Sequence, residues 1–144
     1  MNLPARRGVI DTSTVILLSS ISDPSLLPTE PLITAVTLAE LSVGPLVAKN
    51  DAERAARQAR LQQAESDFDP LPFDASAARA FGQIAASLRR SGRKASARAF
   101  DAMIAATARA NGLAVHTCNP SDFAGIEGLE VVAIPHPEQL RTPP

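Results

Sequence analysis

The chain has 144 residues, 45% of them hydrophobic, and a net charge of -1, which suits one domain with a real core and is too little for two of comfortable size. A single cysteine, Cys118, excludes an intrachain disulfide and a multi-cysteine zinc site. The near-neutral balance argues against a strong nonspecific nucleic-acid binder, and with no Trp or Tyr and five Phe any RNA would be held by phosphate and edge contacts rather than by stacking.

No apolar run approaches the roughly 20 residues that span a bilayer, so a soluble cytoplasmic protein with no membrane role is expected. The chain reads as a single domain over 1–144, with a core at about 7–134 and a Pro-rich tail from 135. The first element is a short apolar strand at 7–10 ending at Asp11, followed by Thr12, Ser13 and Thr14 as hydroxyl caps for a helix through Val15–Leu18. After a Ser- and Pro-rich loop, 31–36 reads as a second strand and Thr37 as the opening of a helix that breaks near Gly44-Pro45. Residues 51–65 are strong helix formers with Leu61 as their one large apolar side chain, which suggests a helix that is exposed or packs against something else, and a candidate partner surface. Residues 69–73 resemble a short edge strand carrying prolines, and Asp74 caps an Ala-rich helix ending at Ser91-Gly92. A helix at 96–111 closes at Gly112, strands follow at 113–117 and 129–134, and Asn119-Pro120 begins a brief helical turn between them. Strands alternating with helices predict a three-layer α/β/α sandwich around a short, mainly parallel sheet.

Four acids stand where apolar runs meet helix starts: Asp11, Glu40, Asp101 and Asp122. In open parallel sheets, ligands bind beyond the carboxyl ends of the strands, so the four can converge there. Each has a local alternative. Asp11 can cap the first helix, Glu40 has capping-box spacing from Thr37, and Asp122 can complete a cap begun at Asn119. Asp101 shares its helix face with Ile104, Ala105 and Ala108, so it needs a cation or a pairing with Arg98. With the four set aside as ligands, 14 Lys and Arg face 11 remaining acids, and Arg89, Arg90, Arg93, Lys94 and Arg98 form a cluster able to guide RNA phosphates. The cations at the helix end also have the simpler role of opposing its dipole.

At these residues the chain resembles the PIN-domain ribonucleases, and among them the VapC-like toxins of type II toxin–antitoxin pairs. Val9-Ile10-Asp11-Thr12-Ser13 resembles their first motif and Thr37-Leu38-Ala39-Glu40-Leu41 their second. The third is Asp101-Ala102-Met103-Ile104-Ala105-Ala106-Thr107-Ala108 and the fourth Thr117-Cys118-Asn119-Pro120-Ser121-Asp122-Phe123. Pro45 and Cys118 depart from the pattern, but neither removes an acid. The resemblance implies an endoribonuclease dependent on Mg²⁺ or Mn²⁺, usually a homodimer, and silenced by a small antitoxin encoded beside it. It implies metal ligands at Asp11, Asp101 and Asp122, with Glu40 binding directly or through water, and supporting donors at Ser13 and Asn119. The alternatives are a PIN fold acting mainly by binding RNA or a partner, and a Mg²⁺-dependent phosphatase. The phosphatase motif needs an acid where Ser13 stands, and a phosphoacceptor receiver domain needs a lysine later than Lys94.

Overall fold

The computed structural model describes residues 6–93 and 98–140. Four parallel strands, β1 (Arg7–Ile10), β2 (Glu30–Leu32), β3 (Ala114–Thr117) and β4 (Val131–Ala133), form one sheet in the order β2-β1-β3-β4. Five helices surround it: α1 (Thr12–Leu17), α2 (Ala35–Val43), α3 (Asp51–Asp67), α4 (Ala75–Arg90) and α5 (Ala99–Ala110). The expected α/β/α layering is present, because alternate residues of a strand point to opposite faces. Val9 and Val115 enter one core with Ile84, Leu88, Ile104 and Phe123, while Ile10 enters another with Val15, Ile33, Leu41 and Ala64. In α5 the fully buried residues include Ala102, Ala105, Ala106 and Ala108, whose small side chains let the helix lie close to its neighbours. Among the described residues no helix is long and apolar enough to cross a membrane.

The boundaries follow local chemistry. Helix α4 is capped by the Asp74 side chain, which accepts from the Ala77 N–H. Helix α5 ends with Gly112 at φ 67°, and the Leu113 N–H returns to the Ala108 carbonyl, closing orphan groups that only a left-handed residue lets the chain reach. Gly44 ends α2 as expected, and Gly44–Val47 continues as a 3₁₀ turn. Gly8 has a different role: a Cβ there would collide with the buried His116 imidazole on β3.

Several expectations are corrected. The second strand ends at Leu32, and α2 begins at Ala35 rather than Thr37, with the Thr34 hydroxyl accepting from the Thr37 N–H. Buried hydroxyls at Thr34 and Thr37 are satisfied within the fold, so a run that reads as strand by its β-branched content closes early in a cap. The segment 69–73 makes one parallel bridge, Thr34 to Leu71, because its prolines cannot donate to a ladder. Helix α3, as one of its two expected readings had it, packs one face on the core, where Ala64 is buried and Leu61 lies against the cluster containing Ile10 and Leu41. Residues 137–140 form a 3₁₀ turn after the buried Ile134, so the tail is ordered further than its composition suggests.

Candidate active site

The parallel register pairs Ile10 with His116, which sets Asp11, just beyond β1, beside Thr117, the last residue of β3, at the carboxyl edge of the sheet. Asp11 is 2% exposed, and its carboxylate does not cap α1. It accepts instead from three hydroxyls: Thr14 at 2.5 Å on Oδ1, and Ser13 and Thr117 at 3.0 Å each on Oδ2. Each hydroxyl is itself held. The Cys118 N–H donates to Thr14, the Asn119 N–H donates to Thr117, and the Asn119 side-chain amide donates to Ser13 at 3.0 Å. A buried carboxylate is tolerated only when hydrogen-bonded in this way.

Glu40 stands in the second turn of α2, six positions after its Thr34 cap. The capping-box alternative therefore does not apply to it. Thr12 Oγ1 lies 2.7 Å from Glu40 Oε1 and 2.9 Å from Thr37 Oγ1, and one hydroxyl proton cannot serve both. Thr12 therefore donates to the carboxylate and accepts from Thr37. Burial pushes the Glu40 carboxyl above its ordinary range, the Thr12 hydrogen bond opposes this, and the Asp11 charge adds to it.

Asp101 lies in the first turn of α5, and Asp122 in the 3₁₀ turn Pro120–Phe123. The Asn119 side chain makes no cap for that turn, being engaged with Ser13. Arg98 joins the two acids: its Nη1 pairs with Asp122 Oδ1 and lies 3.8 Å from Asp101 Oδ2. The Asp101 carboxyl is pushed up to about 6, first by burial and then by the charges of Asp122, Glu40 and Asp11, with Arg98 opposing. The charges of the other three acids thus all act on Asp101.

All four offer hard oxygen donors with no sulfur or imidazole among them, which suits Mg²⁺ or Mn²⁺ and relieves carboxylate repulsion. Among the described residues, however, no group of three or more Asp, Glu, His or Cys is gathered closely enough to hold a metal ion as it stands. What suits a cation is therefore the chemistry of the donors rather than a closed cage, and Arg98 supplies positive charge beside Asp101 and Asp122.

Beside Glu40 a cavity of about 350 Å³ is lined by Thr12, Ile16, Glu40, Leu41, Arg57 and Arg60. Arg57 is committed to the Gly44 carbonyl and to Glu53. Of the basic cluster, Arg93 donates to the Ala124 carbonyl just past Asp122, Arg89 and Arg90 lie exposed at the end of α4, and Lys94 is outside the described residues. Sequence reading took Thr14 for a cap and gave Thr117 no separate role. The signal for both was an acid at a strand end followed by hydroxyls, with a second strand also ending in Thr.

The PIN domain family profile matches residues 9–128. The chain is 39% identical to Ribonuclease VapC5 of Mycobacterium tuberculosis over 136 residues, covering 93% of this chain and 98% of that one. It is also 39% identical over 97 residues to the tRNA(fMet)-specific endonuclease VapC of Shigella flexneri, covering 67% and 70%. Among solved structures, VapBC-5 from M. tuberculosis, a member of the VapBC family of toxin-antitoxin systems, superposes with a TM-score of 0.77 at 37% identity, covering 91% of this chain and all of that one. DNA-bound VapBC from Salmonella typhimurium gives 0.73 at 27% identity, with 90% and 98% covered. The chain belongs to the PIN-domain family, and its relatives there are VapC ribonucleases.

Proposed function

We propose that the chain is an endoribonuclease dependent on Mg²⁺ or Mn²⁺, the toxin of a toxin–antitoxin pair, acting in the cytoplasm as a homodimer until a small antitoxin silences it. The observation that carries this reading is the placing of Arg98 between Asp122 and Asp101, at the edge where Asp11 follows β1, with the Asp101 carboxyl raised first by burial and then by the charges of Asp122, Glu40 and Asp11. The names of the relatives, ribonuclease and endonuclease, support the same reaction class.

Asp11, Asp101 and Asp122 would hold the cation, with Glu40 directly or through a water. When bound, the cation supplies acidification of water and charge neutralisation at the phosphate. The protein's own work is positioning. Three hydroxyls fix both oxygens of Asp11, so it cannot turn away from the edge. Glu40, its carboxyl raised by burial, is suited to take a proton from an attacking water, while Thr12 holds one of its oxygens. Arg60, in the cavity beside Glu40, offers a guanidinium to the RNA backbone on that side. Exposed Val43, Leu46 and Val47, at the end of α2 and in the turn after it, supply apolar surface for a second subunit or an antitoxin.

The purified protein is expected to cleave RNA with Mg²⁺ or Mn²⁺, and chelation, Asp11→Asn or Asp101→Asn is expected to abolish cleavage. Cleavage that persists in both variants would sink the mechanism. Expression should slow host growth, and the neighbouring small gene should restore it. A second reading, a PIN fold that binds RNA or a partner without cutting, draws support from the absence of a compact ligand cage among the described residues. Growth arrest by wild type and both variants alike would favour it.

A further inference from the structure

Arg98 is poorly explained by the helix it begins. It is the N-cap residue of α5 and makes no side-chain cap bond. A cation is the wrong sign for a helix N-terminus, where side-chain oxygens are favoured and the dipole repels positive charge. What holds it is the acid pair. Its Nη1 contacts Asp122 and approaches Asp101 at 3.8 Å, whereas Asp11 and Glu40 are answered by hydroxyls. Among the described residues Arg98 is the one cation in ion-pair contact with any of the four acids.

We infer that Arg98 is a resident counter-ion of Asp101 and Asp122, which a divalent cation must displace, so that this side chain sets the cation concentration at which the site loads. The inference rests on the cation reading above. The guanidinium and a hard cation are drawn to the same two carboxylates, and their like charges repel, so each weakens the other's hold on the pair. That opposition is reciprocal: whatever Arg98 gains by contacting the pair is subtracted from the affinity for the incoming ion. The arm is suited to leaving. Its side chain is 47% exposed, and an exposed ion pair costs little to open. The charge also answers a need of the cation-free protein, because Asp101 would otherwise face Asp122, Glu40 and Asp11 with no positive group beside it.

The test is calorimetric titration of Mn²⁺ into the full chain without RNA, comparing wild type, Arg98→Gln and Arg98→Lys. Arg98→Gln is expected to bind Mn²⁺ roughly 3- to 30-fold tighter, the scale of removing one charge a few ångströms from the ion at the effective dielectric of a protein surface. Arg98→Lys keeps the charge and is expected to stay within about threefold of wild type. Thermal melts give a second readout: without metal Arg98→Gln should melt below wild type, and saturating Mn²⁺ should raise its melting temperature by more. Equal or weaker Mn²⁺ affinity in a folded Arg98→Gln overturns the inference while leaving the cation reading intact. Tightening in Arg98→Lys equal to that in Arg98→Gln also overturns it, because charge would not be the cause. If neither wild type nor Arg98→Gln binds Mn²⁺, the cation reading falls and this inference with it. Should Arg98→Gln fail to fold, Arg98→Met is titrated in its place against the same expectations.

Discussion

Thr117 Oγ1 donates to Asp11 Oδ2 at 3.0 Å, joining two residues 106 positions apart at the ends of adjacent strands. Thr117→Val preserves shape and removes the donor, leaving a buried carboxylate oxygen with one partner fewer. We expect a loss of about 1–3 kcal/mol in urea unfolding, with Thr117→Ser close to wild type. Unchanged stability in Thr117→Val would show that the bond contributes nothing.

Asp101 makes the cation-free protein pH-sensitive. Its folded-state carboxyl is raised from 3.8 to about 6, so the folded chain binds this proton more tightly than the unfolded chain. The resulting stability is fully present below about pH 4 and is lost as pH rises through about 6. His116 works in the opposite direction: burial lowers it first, aided by Arg6, so stability is lost as pH falls below 6.5. The difference between wild type and Asp101→Asn isolates the first effect. Wild type should lose on the order of 1–3 kcal/mol relative to the variant between pH 4 and pH 7, measured in melts with chelator present. Parallel pH profiles would contradict the assignment.

At neutral pH the same repulsion predicts that Asp101→Asn is more thermally stable than wild type without metal, although it should not cut RNA. Added Mn²⁺ should raise the melting temperature of wild type and should not raise that of Asp11→Asn or Asp101→Asn. A Mn²⁺ response in both variants equal to that of wild type would place the ion elsewhere.

Gly8 and His116 form a tight pair in the centre of the sheet. Gly8→Ala should destabilise the fold by roughly 1–3 kcal/mol through overpacking, and the penalty should shrink in a His116→Ala background, where space opens beneath the new methyl. Additive losses in the double mutant would argue that the collision is relieved by movement elsewhere.

Much of this was legible in the chain itself. Residues 7–10 read as a strand and are one, Asp74 caps its helix, and Gly44 and Gly112 end theirs. These features are set by neighbours in sequence. The second strand was misread because Ile33 and Thr34 favour extended backbone, while the hydroxyl of Thr34 has a better use as a cap. The four acids were visible as candidates, but the hydroxyls that secure Asp11 were not, since Thr14 and Thr117 acquire their roles only through the pairing of β1 with β3. Arg98 was visible as a neighbour of Asp101 three positions away. Its contact with Asp122, 24 positions away, depends on how the Pro120–Phe123 turn lies against α5.

The wiring of Asp11 to Thr117, Cys118 and Asn119 has a consequence for synthesis. A growing chain presents Asp11, Ser13 and Thr14 early, but Thr117, Cys118, Asn119 and Asp122 leave the ribosome roughly 100 residues later. Until β3 is made and inserts beside β1, a nascent or truncated chain lacks Thr117 and Asp122 even when it already carries Asp11, Glu40 and Asp101. A chain truncated before that point cannot complete the edge, which is closed only by β3 and the Pro120–Phe123 turn that follows it.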